Sequence, residues 1–383
     1  MKLRTLLALC LLVARPGLAD DFQNWTHRME ARSVRVSAGL WDLPTGKLLE
    51  AQGTDLALVP ASTAKVLSTY AILRTLKPNF ELYTEVWGDL RGGTVAGDLV
   101  FKGGGDPFLT SERIWLMAHE LKAKGVLQVT GRIRLDQTAF DSQRFGNGWE
   151  NTSANTTPPI LPLSVNFNRE NGKLAADPER MDVEVIQSIL REAGIAVLEQ
   201  PQTQQPSAPP QKLLAFASPP LRDLVMDINK VSNNFMDEML VKAFGGGTWP
   251  GGIKRIQDFY ESQLDLKPDK INLTDGSGLS KDDHISARTL AIVLRAAWND
   301  FEVGPEFVSS LKTIGGEPWK LHITDPNLAR RVRCKTGHLN GVTSVCGYLQ
   351  TPTGKLRVFA IILNGNCGDN DVWELVSRWA NQE

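Results

Sequence analysis

The sequence predicts an α+β fold: an antiparallel sheet covered by helices, with a smaller domain inserted into it. Three observations predict this. Alternating apolar segments lie near both ends of the 383-residue chain, helical periodicity lies between them, and a long mixed stretch interrupts the middle.

Val34 to Leu43 and Lys47 to Gln52 read as two strands around the turn Pro44-Thr45-Gly46. A helix follows from Ser62 to Leu76, where Val66, Leu67, Tyr70, Ala71 and Leu73 suit a buried face. Glu85 to Gln211 mixes short strands and loops with two helical stretches. Its end, Pro201 to Lys212, is rich in Pro, Gln and Ser and predicts a surface loop or linker. Helical pattern returns from Leu221 to Phe244 and again from Ser286 to Trp298. Val332 to Lys335, Thr343 to Gln350 and Leu356 to Leu363 read as three more strands, which the two N-terminal strands join. A last helix, Asp371 to Ala380, brings Trp373, Leu375, Val376 and Trp379 onto the core. The expected organisation is a main domain of residues 20–84 and 215–383, with residues 85–214 inserted.

The first residues predict an export signal. Lys2 and Arg4 precede the apolar run Leu6 to Ala14, too short to span a bilayer, and Gly17-Leu18-Ala19 supplies small residues for cleavage after Ala19. Cys10 lies inside the apolar run, which argues against a lipoprotein. No later segment predicts a transmembrane anchor. The 42 basic and 43 acidic residues form no basic patch, which argues against nucleic acid. Cys334, Cys346 and Cys367 allow one disulfide and leave one thiol over. No Cys-x-x-Cys pair occurs, His119 and His284 lack a second ligand at metal spacing, and Gly103-Gly104-Gly105 is a turn without the Gly-Lys-Ser/Thr of a phosphate loop. No metal or organic cofactor is expected.

Three short motifs carry chemistry: Ser62-Thr63-Ala64-Lys65, Ser232-Asn233-Asn234 and Lys335-Thr336-Gly337. Ser62 at a helix start has Lys65 one turn later on the same face. A serine hydroxyl needs a base, and a lysine becomes one when burial depresses its pKa. Ser232 and Asn234, two apart on a loop, point together into a cleft, the hydroxyl to pass a proton and the amide to hold a carbonyl. Lys335 and Thr336, ending a strand beside a Gly337 turn, suit an extended peptide with a terminal carboxylate. Each motif alone is common; their joint occurrence in this order is specific.

Together with Leu58-Val59-Pro60-Ala61, Gly105-Asp106-Pro107, Asn229-Lys230-Val231 and Asp275-Gly276-Ser277-Gly278-Leu279-Ser280, these motifs resemble the D-alanyl-D-alanine carboxypeptidase/endopeptidases. These are class C low-molecular-mass penicillin-binding proteins of the PBP4 (DacB) type, peptidase family S13. The resemblance covers nearly the whole chain after the leader. It implies a penicillin-binding-protein/serine β-lactamase-like transpeptidase fold and a periplasmic serine DD-peptidase. Ser62 would be the nucleophile, Lys65 the base, and Ser232, Asn234 and Lys335 further catalytic residues. Thr336, Gly337 and His338 would bind substrate, with the N–H groups of Ser62 and His338 holding the oxyanion. Peptidoglycan stem peptides would be substrates and β-lactams inhibitors.

The chain departs from the family at three points. The insert is sized for one subdomain where larger members carry two. Glu150-Asn151-Thr152 follows Trp149 where some relatives place an acidic residue for side-chain recognition. His338 stands where Ser or Thr is usual, so that an imidazole would crowd the site or alter its pH response. Two other readings stay open: a β-lactamase or esterase on the same scaffold, and a catalytically quiet cell-wall binding protein. Neither the balance of carboxypeptidase and endopeptidase action nor the oligomeric state is legible.

Overall fold

The structure is a computed structural model that describes residues 17–149, 157–200, 209–315 and 328–382. The apolar run of the leader, Cys10, Glu150-Asn151-Thr152 and most of the Pro201–Lys212 tract lie outside the described residues. Helix α1 (Gly17–Ala31) begins where the leader was expected to end, and its Trp25 and Met29 are buried. Among the described residues, no helix is long and apolar enough to cross a membrane.

The main sheet is antiparallel and six-stranded. Its strands are β1 (Arg35–Asp42), β2 (Leu48–Gln52), β7 (Lys312–Thr313), β8 (Val332–Leu339), β9 (Val342–Gln350) and β10 (Leu356–Asn364), in the order β7-β8-β9-β10-β1-β2. Alternation along these strands gives the sheet two apolar faces. Tyr348, Val358, Ala360 and Ile362 face a helical cluster. Phe359, Ile361 and Leu363 face α1 and the last helix, α10 (Asp369–Asn381), through Trp25, Met29, Leu375 and Trp379. The same alternation separates Cys334 and Cys346 onto opposite faces. Among the described residues Cys334, Cys346 and Cys367 form no disulfide, so the one that the composition allows is not made.

At the centre of the helical cluster is α2 (Lys65–Leu76), buried over nine consecutive residues. Around it pack α5 (Leu221–Val231), α6 (Asn234–Phe244), α7 (Trp249–Leu264) and α8 (Ala287–Asn299), with the short α9 (Gly304–Ser310) against α5. The helical stretch expected from Leu221 to Phe244 is thus two helices. Ser232 breaks it in a left-handed conformation (φ 58°), and Asn233 caps α6 by accepting the Met236 N–H at 3.1 Å.

Residues between α2 and α5 build a separate apolar core from Val86, Phe101, Leu121, Ile186, Leu190 and Phe216. Its sheet contains β3 (Tyr83–Gly88), β4 (Leu99–Lys102), β5 (Ile133–Asp136) and β6 (Gln211–Ala217), in the order β6-β3-β4-β5. Helices α3 (Ser111–Ala123) and α4 (Pro178–Glu192) cover it. Gln211 and Lys212, expected at the end of a loop, begin strand β6 and pair with Gly88 and Trp87.

Candidate active site

The three motifs meet where the N-terminal end of α2 touches strand β8. Ser62 lies in a single 3-10 turn, Ala61–Ala64, that runs directly into α2. Glycines let backbone close in on this turn. A Cβ on Gly278 would lie 1.9 Å from the Ala61 carbonyl oxygen, and one on Gly337 would lie 2.7 Å from the Ser62 nitrogen. Ala61 itself is left-handed (φ 48°), a conformation that costs roughly 1–3 kcal/mol for a residue with a Cβ. The Pro60 carbonyl before it is held by two hydroxyls, Ser344 at 2.6 Å and Thr63 at 2.7 Å.

Lys65 is fully buried, and its Nζ makes three contacts: Ser62 Oγ at 3.0 Å, Asn234 Oδ1 at 2.6 Å and the Ser277 carbonyl at 2.7 Å. Burial lowers its pKa to about 8, against the opposing pull of Asp237, Glu238, Asp275 and Asp283. Two of the three contacts are carbonyl oxygens, which only accept. A neutral amine has two N–H bonds for them and one lone pair left, which faces the Ser62 hydroxyl.

A second chain starts at Lys335, also fully buried. Its Nζ donates to Ser232 Oγ at 2.8 Å and to the Thr336 carbonyl at 2.7 Å. Burial, followed by the nearby Lys65 and Lys312 charges, holds its pKa well below the usual lysine value. The left-handed break at Ser232 turns its hydroxyl toward Lys335, while Asn234, the first residue of α6, faces Lys65. Thr336 is half-buried on the same strand.

Strand β8 does not end at Gly337, as expected, but continues to Leu339 and turns at Asn340-Gly341. Gly337 is extended and serves close approach, not a turn. The Val332 carbonyl accepts the Ile314 N–H at 3.1 Å, so ladder alternation turns the backbone groups of Thr336 and His338 to that same edge, away from β9. The His338 side chain does not crowd the cleft. It is exposed and its Nε2 contacts Asp369 Oδ1 at the start of α10. Side-chain alternation separates it from Lys335.

Sequence reasoning misses an acidic bed under Lys65. Asp237 and Glu238 are fully buried one turn after Asn234, and the Ser68 hydroxyl lies 3.0 Å from both Asp237 oxygens. Burial raises both acids to about 7; Lys65 opposes the shift at Asp237, and Asp275 adds to it at Glu238. Glu238 accepts from the Ser277 N–H at 2.7 Å, which positions the Ser277 carbonyl for Lys65. Asp275 accepts from Gly278 N–H, Ser280 N–H and Trp149 Nε1, the last at 2.7 Å. The loop Asp275 to Ser280 is therefore structural, as expected, but it also holds the Lys65 amine directly through the Ser277 carbonyl. Two adjacent acids one turn past Asn234, on a helix otherwise apolar as far as Lys242, were the available signal. The His119 ring meets the Trp115 carbonyl at 2.9 Å and lies 3.8 Å from the Trp115 ring, centroid to centroid, and the His284 ring meets the Asp282 carbonyl at 2.9 Å.

Residues 31–176 and 172–380 match the D-Ala-D-Ala carboxypeptidase 3 (S13) family. The chain belongs to this family. Its relatives include a D-alanyl-D-alanine carboxypeptidase of Actinomadura sp. (strain R39), 26% identical over 95% of this chain and 86% of that protein. The D-alanyl-D-alanine carboxypeptidase DacB of Haemophilus influenzae is 22% identical over 80% of this chain and 81% of its own. The fold is that of penicillin-binding protein 4 (dacB) from Haemophilus influenzae, with a TM-score of 0.78 at 20% identity over 94% of this chain and 100% of that one. A predatory peptidoglycan endopeptidase of Bdellovibrio bacteriovorus has the same fold, with a TM-score of 0.57 at 14% identity over 90% of each chain. The α+β transpeptidase-like fold and the S13 resemblance read from the motifs are therefore borne out.

Proposed function

We propose that the chain is a serine DD-peptidase that cleaves bonds after D-Ala in peptidoglycan through an acyl-enzyme on Ser62. Release of a terminal D-Ala is carboxypeptidase action, and cleavage of a D-Ala–diamino acid crosslink is endopeptidase action. The observation that carries the reading is the Lys65 amine, fully buried and 3.0 Å from Ser62 Oγ, with two carbonyls taking its N–H bonds.

In this reading the stem peptide lies along β8. Neutral Lys65 takes the Ser62 proton, and Oγ attacks the carbonyl of the D-Ala before the scissile bond. The Ser62 and His338 N–H groups hold the oxyanion. Ser232 relays a proton to the departing amine, with Lys335 behind it and beside the substrate carboxylate together with Thr336. Water then releases the acyl group. Asn234 holds Lys65 and the substrate amide. The chain works outside the cytoplasmic membrane, in the periplasm, after loss of the leader, and residues 85–214 act as an inserted domain beside the cleft.

The intact mass of the protein after incubation with benzylpenicillin checks this. One penicillin adduct on wild type and none on Ser62→Ala is expected. No adduct on wild type, with penicillin unconsumed, would favour the quiet binding protein; rapid penicillin turnover without peptide hydrolysis would favour the β-lactamase.

A further inference from the structure

The stretch that lends Lys65 its Ser277 contact begins at Asp275 and ends at Asp283, and both carboxyls are fully shut from solvent. A buried carboxylate needs donors for its lone pairs. Asp275 finds three. Its Oδ1 accepts from the Gly278 N–H at 2.7 Å, and its Oδ2 from the Ser280 N–H at 2.8 Å and Trp149 Nε1 at 2.7 Å. Asp283 finds donors for one oxygen only. Its Oδ1 accepts from the Thr274 N–H at 2.7 Å and the Thr274 hydroxyl at 3.0 Å, while its Oδ2 is buried with no donor.

The two side chains also meet each other. Two carboxylates in contact away from water repel. A carboxylic acid beside a carboxylate attracts it, because the acid has an O–H to donate. A proton on Asp283 Oδ2 turns the orphaned oxygen into a donor and gives Asp275 a fourth. Burial pushes Asp275 well above the usual carboxylate range, with the Asp283 carboxyl adding to the shift, and burial raises Asp283 to about 7. Glu238 from α6 and Lys65 from α2 face the pair, and Asp237 lies next to both. Lys281, Asp282 and His284 neighbour Asp283 in the chain and reach solvent.

We propose that Asp275 and Asp283 share one proton in the folded protein, and that this proton locks the loop that presents the Ser277 carbonyl to Lys65. Asp275 brackets Ser277 through the N–H groups of Gly278 and Ser280, and Gly278 is pressed against the Ala61 carbonyl. Asp283 is thus a positioning residue that acts on Lys65 through Asp275 and Ser277. The part that concerns Lys65 rests on the acyl-enzyme reading above; the shared proton does not.

The test compares wild type with Asp283→Asn, which keeps an oxygen for Thr274 and puts a fixed N–H where the shared proton sits. A carboxyl whose pKa is raised on folding contributes stability that is complete below the ordinary Asp value and is lost as pH rises toward the folded one. Wild type should therefore lose stability relative to Asp283→Asn from about pH 4 upward, by about tenfold in the folding constant per pH unit, until the shared proton leaves. Glu238, Asp237 and Lys65 are present in both proteins, and their titration cancels in the difference. Asp275→Asn strands a donor and is less stable throughout, but it shows the same loss of pH slope. A stability gap that does not change with pH, or a slope lost in one variant and kept in the other, overturns the shared proton. For the positioning role, acylation by benzylpenicillin is measured across pH. Asp283→Asn is expected to retain most of the rate with its midpoint unmoved, since the pair carries one negative charge either way. Asp283→Ala, which leaves Asp275 without that donor, should be slower by about tenfold or more. A wild-type rate in Asp283→Ala, or a midpoint moved to lower pH in Asp283→Asn, overturns it. Failure of the parent reading looks different: wild type then gains no Ser62-dependent adduct, and the stability slopes still decide the proton.

Discussion

Lys65 can make its three contacts in two protonation states, and only one of them lets Ser62 give up a proton. As an ammonium it donates to all three partners and the serine hydroxyl must accept. As an amine it donates to Asn234 and Ser277 and receives from Ser62. In the proposed mechanism the amine is the active form, so acylation by benzylpenicillin should rise with pH up to about 8, where Lys65 titrates, and level off above it. The Asp237 charge favours the ammonium. Asp237→Asn should therefore move the midpoint of that rise to lower pH, measured as the acylation rate across the pH range. A midpoint that stays put or moves upward would separate Asp237 from the base. The imidazole of His338 lies on Asp369, outside this chain of contacts.

Among the elements, α10 is tied to the sheet edge by one carboxylate. Glu50 on β2 accepts from Arg378, from Trp379 Nε1 at 2.8 Å and from Gln382 Nε2 at 2.9 Å. Burial would raise its pKa, but these donors outweigh burial and hold it below the usual carboxylate value. Glu50→Gln should cost about 1–3 kcal/mol at neutral pH, read as a lowered denaturant midpoint with unchanged slope. The sign follows from the lowered pKa. The contribution is complete above the ordinary glutamate pKa and is lost as pH falls through the folded value, so the gap between the two proteins closes in acid. The strands around this edge were legible in the sequence because polar and apolar residues alternate from Val34 to Ala38, and Leu356 to Leu363 is a short apolar run of the kind that a strand buried on both faces shows. The break between α5 and α6 was legible from the motif, which puts Ser232 and Asn234 on a loop, but not from periodicity, because the apolar stripe of Leu224, Val225 and Ile228 continues into Phe235, Met236 and Met239. What bends the chain there is tertiary, the Ser232 hydroxyl meeting Lys335. Helix α7 is hidden for another reason. It starts Trp249-Pro250-Gly251-Gly252, which reads as a turn, yet Gly252 is glycine because a Cβ there would lie 2.3 Å from the Val241 carbonyl.

In the whole molecule α6 is the spine between the catalytic cleft and the rest. It starts at Asn234, carries Asp237 and Glu238, and near its end sends the buried Lys242 ammonium across to Asp141 at 2.6 Å and the Gln143 carbonyl at 2.5 Å. The same ammonium lies 4.3 Å from the Trp249 ring centroid. Lys242→Ala should cost roughly 2–4 kcal/mol, seen as a lower unfolding temperature, because it removes a fully buried side chain together with its packing on Trp249 and its two polar contacts. At this scale the catalytic triplet of motifs was readable, since each motif is contiguous. The acidic bed was not, because Asp237, Asp275 and Asp283 converge from separate stretches of chain and only the packing assembles them. The turn that presents Ser62 is gripped by bare backbone at Gly278 on one side and Gly337 on the other. With its backbone held this way, the turn has little room to shift if Ser62 carries an acyl group, as the proposed reaction requires, so the relaxation that admits water falls to the Ser62 side-chain torsion and to the passenger. A linear peptide residue has free rotors and swings clear. A fused-ring remnant has few and stays across the path, so the proposed adduct should outlive an acyl-peptide on the same serine.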